Sequence, residues 1–285
     1  MIRLFEPSPE ILEALRGSGI LVSLGIKNQD LATLSSSQDE ANAWVQTNVV
    51  PYKDDVKFVW ISAGNDVIPG PLAQNVPGAM NNIYNALVAN GLGQIQVTTV
   101  VSGTALGTSF PPSAGAFSPE VIDIMTQVTA FLKLHKTPLM VDVYPYFAYA
   151  DDPAHISSDY ALFKSTSPVV VDENLNYYNL FDAMVDAFNA ALEKIDMSDV
   201  LVAVSGSGWP TAGNDPYASI ENAQTYNTNL INHVRNTGTP RRPDQPYYLF
   251  LFSMFNEDLK QPAGVEQHFG LFYPSMEPVY PLSFN

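Results

Sequence analysis

Seven short apolar runs, separated by stretches with helical periodicity, constrain this chain more than any other feature of its sequence. The runs are residues 2–5, 20–24, 58–63, 96–101, 139–144, 200–204 and 247–252. Several are apolar with almost no alternation, as parallel strands covered on both faces must be. Helical patterns fill the gaps. One at 9–16 ends at Gly17, one at 39–49 stops before Pro51, and one at 77–90 stops at Gly91. Another opens at Ser118, with Glu120 in its first turn and Lys133 to Lys136 in its last, the charge order that suits a helix dipole. Two more cover 178–195 and 220–236. This βαβα rhythm implies right-handed crossovers and a parallel sheet. It fits a TIM-type (β/α) barrel, whose active site lies at the C-terminal ends of the strands. An open doubly wound sheet shares the rhythm, but no Gly-rich phosphate loop follows an early strand, which weakens a nucleotide-binding version.

A chain of 285 residues, 46% apolar and 15% charged, is long enough for one barrel domain over 1–285. Its net charge of −16 argues against nucleic acid and anionic membranes, both polyanions, as partners. No apolar run approaches the roughly 20 residues needed to span a bilayer, and the N-terminal residues do not read as a signal peptide. The absence of cysteine excludes disulfides and thiolate metal sites. His135, His155, His233 and His268 are scattered without metal spacing, and no acidic run has the spacing of a calcium loop. The expectation is therefore no metal and no cofactor.

In a barrel, the polar residues just past each strand carry the chemistry. Gly64-Asn65-Asp66-Val67 follows the third run and Tyr144-Pro-Tyr146-Phe147 the fifth. Ser205-Gly-Ser-Gly-Trp-Pro-Thr211 follows the sixth, and Met254-Phe-Asn-Glu257, Lys260 and Glu266 follow the seventh. Carboxylates, amides and aromatics at several strand ends describe a sugar site: rings stack on pyranose faces, and polar groups bond hydroxyls.

Taken in order, these segments resemble the plant endo-β-1,3-glucanases of glycoside hydrolase family 17. The resemblance runs from Ile2-Arg-Leu-Phe-Glu-Pro7 to Tyr280-Pro-Leu-Ser-Phe284, through Pro111-Pro-Ser-Ala-Gly-Ala-Phe117, Tyr144-Pro-Tyr-Phe147, Gly208-Trp-Pro210 and His268-Phe-Gly-Leu-Phe-Tyr-Pro274. It implies a barrel lacking the family's first βα unit, with seven recognisable strands. The family's retaining mechanism uses two glutamates, a general acid in a Gly-Asn-Glu motif and a nucleophile in a Ser-Glu-Ser-Gly-Trp-Pro-Ser motif. Here the acid/base position is Asp66 and the nucleophile position is Gly206. Aspartate sets the carboxyl back by one methylene, and glycine has no side chain to attack with. Two further departures are Phe5, where the family usually has Tyr, and Asp142, where it usually has Asn. Asn65, Asp142, Tyr144, Tyr146, Phe147, Trp209, Glu257, Lys260 and Glu266 are the implied substrate contacts. The last three also read as a structural ion-pair network, and Asp142 as a substitute carboxylate. Ser205 and Ser207 have no motif that places a histidine base beside them.

The leading expectation is a catalytically deficient homologue that retains β-1,3-glucan or oligosaccharide binding. One alternative is a weakly active or engineered, glycosynthase-type enzyme; another is a scaffold or storage protein that binds no sugar. Without a first strand, runs 2–5 and 247–252 would be unpaired edges open to self-association. The resemblance implies secretion.

Overall fold

The structure, a computed structural model, describes residues 1–245 and 247–284. Seven parallel strands make one sheet: β1 (Ile2–Leu4), β2 (Leu21–Gly25), β3 (Lys57–Asn65), β4 (Gln96–Val101), β5 (Leu139–Asp142), β6 (Val202–Ser207) and β7 (Leu249–Leu251). They neighbour one another in sequence order, with helices in between, which is the strand order of a (β/α) barrel. All seven expected runs are strands. Segment 200–204 lies in β6 and its approach, not in a helix.

The helices begin and end for local reasons. Helix α1 (Pro9–Ala14) has Ser8 at its N-cap, whose Oγ accepts from the Ile11 N–H. Helix α2 (Leu31–Ser36), too short to show a period, was not legible in the sequence. Helix α3 (Gln38–Asn48) opens on Ser37, whose Oγ accepts from the Glu40 N–H, with Asp39 and Glu40 in the first turn. Helix α4 (Val76–Ala89) buries Ala79, Met80, Ile83, Ala86 and Leu87, a single face at helical spacing. Helix α5 (Ile122–His135) starts four residues later than expected from Ser118. Ala116–Phe117 pairs antiparallel with Leu106–Thr108, and the Ser118 N–H is spent on the Ala105 carbonyl. Asp123, rather than Glu120, therefore takes the first turn.

Contacts divide the chain into two units. The first comprises Met1–Thr108, Ala116–Val141 and Ala191–Ala203. Its core is built from Leu24, Ile61, Val97, Val100, Met80, Ile83, Met125 and Leu132, all fully buried. The second comprises Ser109–Gly115, Asp142–Ala190 and Val204–Asn285. Its helices are α6 (Pro145–Asp151), α7 (Ser158–Ala161), most of α8 (Leu180–Lys194) and α9 (Ile220–Asn236). Its interior is more polar. Asp186, fully buried, accepts from the Tyr177 hydroxyl (3.0 Å), the Arg241 N–H (2.9 Å) and Asn189 Nδ2 (2.9 Å). Asp172 accepts from the Ser113 N–H and hydroxyl at 2.6 and 2.8 Å. Each buried carboxylate thus ties a loop to the unit, since a buried charge is tolerable only when its oxygens are satisfied.

Candidate functional site

The end of β3 belongs to the first unit. Gly64 has φ +96°, and a Cβ there would lie 2.9 Å from Val67 Cγ2, so the turn out of β3 requires glycine. Asp66 follows with φ 52°, its N–H bonded to the Val100 carbonyl at 3.1 Å and its side chain exposed. Asn65 is held from three sides. Asn28 Nδ2 donates to its carbonyl and Asn28 Oδ1 accepts from its N–H, both at 2.9 Å. Arg3 donates from Nη2 to Asn65 Oδ1, and Asn65 Nδ2 faces Asp66 Oδ2 at 3.4 Å. The Arg3 guanidinium also covers the Phe5 ring at 4.4 Å. Asn65 therefore positions the Asp66 loop, with its amide already engaged by protein groups. Sequence reasoning missed Arg3 and Asn28. The available signal was a guanidinium inside the otherwise apolar run 2–5, which needs an acceptor close by.

The ends of β5, β6 and β7 supply the second unit's cluster. The Val143 N–H donates to the Gly206 carbonyl at 3.0 Å, so the two strand ends are locked side by side. A Cβ built on Gly206 would lie 2.6 Å from the Tyr144 hydroxyl and 2.9 Å from Asp142 Oδ1. Both distances are below any normal Cβ contact, so the space beside Gly206 is already taken by a phenol and a carboxylate. The Ser205 hydroxyl donates to the same Asp142 oxygen at 2.6 Å. Ser207 Oγ instead lies 2.6 Å from the buried Tyr226 hydroxyl. Standard bond lengths place a glutamate's carboxylate oxygens about 3 Å from its own Cβ. Asp142 Oδ1 thus sits at the distance from position 206 at which a glutamate there would hold its oxygens.

The expected aromatic contacts separate into two groups. Tyr144 and Phe147 are partly open, with Phe147 39% exposed. Tyr144 meets Phe147, Phe252 and Phe269 edge-on at 5.8, 6.2 and 5.8 Å between ring centres. Tyr146 and Trp209, also expected as sugar contacts, are 1% and 0% exposed. Their rings pack against each other at 5.2 Å. Asn214 Nδ2 donates to the Tyr146 hydroxyl (3.0 Å), and Trp209 Nε1 donates to the Tyr217 carbonyl (2.9 Å). Pro145 and Tyr146 stand at the buried start of α6, where a strand end and loop were expected. Both aromatics are packed inside the second unit, with their polar atoms hydrogen-bonded.

Lys260 bridges Glu257 (3.1 Å) and Glu266 (3.0 Å), with its ammonium 5.4 Å from the Phe252 ring centre. Partial burial works against its charge, but the bonds to Glu266 and Glu257 outweigh it and hold the lysine pKa above its ordinary value. All three side chains keep two-fifths or more of their surface open, so the group can both pair internally and meet a ligand. Among the described residues no group of three His, Cys, Asp or Glu could hold a metal ion.

Comparison with known proteins identifies the family. The model of "Glycosyl hydrolases family 17" matches residues 1–284. A "Putative glucan endo-1,3-beta-glucosidase GVI" of Hordeum vulgare is 46% identical over 286 residues, spanning all of this chain and 88% of the relative. "Lichenase-2" of the same plant is 45% identical over 283 residues, spanning 99% of this chain and 89% of the relative. Among solved structures, "CJP38, a beta-1,3-glucanase and allergen of Cryptomeria japonica pollen" superposes with a TM-score of 0.95 at 45% identity, covering 99% and 89% of the two chains. With a match over nearly its whole length and relatives this similar, the chain belongs to glycosyl hydrolases family 17.

Proposed function

We propose that this protein binds β-1,3-glucan but does not hydrolyse it by the family's covalent route. One observation carries the reading: position 206 has no side chain, and its space is filled by the Tyr144 hydroxyl and Asp142 Oδ1. Retaining hydrolysis needs a carboxylate that forms a bond to the anomeric carbon. A glycine cannot form it, and a water in the same place would not give the covalent intermediate. In the second unit, groups suited to a sugar remain: Asp142, Tyr144 and the Glu257–Lys260–Glu266 cluster for its hydroxyls, and the Phe147 ring for a pyranose face. Relatives named as glucan endo-1,3-β-glucosidases support the choice of glucan. Laminarin incubated with the protein should release no reducing ends, while laminari-oligosaccharides give heat in calorimetry. Absence of heat at millimolar ligand would favour a scaffold or storage role instead. Lys260→Ala should weaken that binding about tenfold and leave Tm within about 2 °C, because exposed ion pairs contribute only about 0–1 kcal/mol to stability.

A second reading rests on Asp142. Its Oδ1 stands 2.9 Å from the Cβ position of residue 206, on the neighbouring strand. A carboxylate there supports slow turnover by a displaced nucleophile or base. Any reducing ends that the protein does release should then vanish in Asp142→Asn, an isosteric change that removes only the charge. Turnover unchanged in that variant would exclude Asp142 as its source.

A further inference from the structure

The second unit contains a pocket of about 610 Å³ whose lining shares no residue with the strand-end cluster. That volume lies within the roughly 300–1,000 Å³ of ordinary small-ligand sites. Five of its fifteen lining residues are asparagines, and none is lysine or arginine. The amides come from separate elements: Asn176 from the strand Leu175–Tyr177, Asn179 from the start of α8, and Asn229, Asn232 and Asn236 from α9.

The floor of the pocket is rigid. Asp182, 4% exposed, accepts from Asn179 Nδ2 at 2.8 Å, from the Tyr247 hydroxyl at 3.0 Å and from His233 Nε2 at 2.8 Å. With Nε2–H turned to the carboxylate, His233 Nδ1 accepts from the Thr237 hydroxyl at 3.2 Å. Asn229 is fixed by a bond from its Nδ2 to the Leu162 carbonyl at 2.8 Å. Two aromatic rings complete the lining. Phe163 packs on His233 at 5.2 Å between ring centres, and Tyr178 is 43% exposed.

This chemistry selects its ligand class. Without a guanidinium or ammonium in the lining, nothing pairs with a phosphate or carboxylate. The one carboxylate is buried and already accepts from three side chains, so it offers little to a cation. An amide both donates and accepts, as each hydroxyl of a sugar does, and an aromatic ring covers a pyranose face. We propose that this pocket is a second carbohydrate-binding site that takes a short segment of a neutral glycan. The choice of β-1,3-glucan as that glycan rests on the function proposed above; the preference for an uncharged polyhydroxylated ligand does not. A polymer held at two points dissociates more slowly than one held at either, because release of one segment leaves the other at high effective concentration.

The test is calorimetric titration with laminaritetraose at millimolar concentration, on the parent and on the double variant Asn232→Ala/Tyr178→Ala. Both side chains are exposed and, among the described residues, neither is hydrogen-bonded to another part of the protein, so the variant should melt at the parent temperature. Expected are two ligands per chain in the parent and one in the variant, with retention on insoluble β-1,3-glucan reduced about tenfold. One ligand in the parent, unchanged in the variant, overturns this site and leaves the strand-end reading standing. One ligand in the parent and none in the variant upholds the pocket and overturns glucan binding at the strand ends. No binding by the parent overturns both.

Discussion

Gly206→Glu alone is expected to leave laminarin uncleaved, whereas Gly206→Glu with Asp142→Asn should raise hydrolysis at least about a thousandfold. Loss of a covalent nucleophile costs up to roughly 10⁶ in rate, so a partial return is still large. The single change fails chiefly for an electrostatic reason, since the groups that its Cβ meets are side-chain ends that can shift. Its Cβ meets the Tyr144 hydroxyl at 2.6 Å and Asp142 Oδ1 at 2.9 Å. The backbone has little freedom to yield, because Val143 is bonded to the Gly206 carbonyl at 3.0 Å and Ser205 pins Asp142 at 2.6 Å. The new carboxylate would also stand beside an existing one, and two like charges in contact cannot both stay ionised. Asparagine at 142 removes the repulsion and presents an amide that can donate to the glutamate. Tyr144 can then swing from its ring torsions without loss of backbone contacts. If position 66 carries the acid/base role that the resemblance implies, adding Asp66→Glu should give about a further tenfold through the longer reach of its carboxyl. Reducing-end assays on the three variants check the series. Equal activity in the single and double variants would show that Asp142 does not occupy the nucleophile's space.

Asp186→Ala should destabilise the protein by about 3–5 kcal/mol, a fall in Tm of roughly 10 °C, measured by thermal unfolding. The substitution removes an acceptor that serves the buried Tyr177 hydroxyl and Asn189 amide and the part-buried Arg241 N–H. The same residue fixes a pH dependence. Burial raises its pKa above the ordinary 3.8, against the lowering effect of its hydrogen bonds. A carboxyl with a raised folded pKa contributes stability that is fully present below 3.8 and is lost as pH rises through the folded value. The deficit of Asp186→Asn relative to the parent should therefore be larger near pH 4 than at pH 7. A deficit that shrinks on acidification would mean that the carboxylate is stabilised by its donors more than it is penalised by burial.

The seven strands were legible because parallel strands covered on both faces leave near-continuous apolar runs. The helix starts were less so. Ser118 looks like an N-cap, yet its N–H serves the Ala105 carbonyl in the turn after a short hairpin, and the helix waits until Ile122. In the candidate site, the resemblance singled out Gly206, but the groups that fill the space beside it were not legible: they depend on the register between Val143 and Gly206. Tyr146 and Trp209 illustrate another limit. An aromatic just past a strand reads the same whether it faces a groove or the packing beneath, and only burial separates the two. Arg3 was hidden inside an apolar run, and the asparagine pocket gathers residues from 163 to 243 that no local pattern connects.

The most direct test of the central claim runs both assays on one preparation, with Asp142→Asn beside the parent. Laminari-oligosaccharide binding is followed by calorimetry and laminarin cleavage by reducing ends. The predicted result is saturable heat from the parent and no release of reducing ends; a slow release that Asp142→Asn abolishes is what the second reading predicts. Sustained release of reducing ends that survives Asp142→Asn would contradict it, because neither position 206, which has no side chain, nor the Asp142 carboxylate could then be its source.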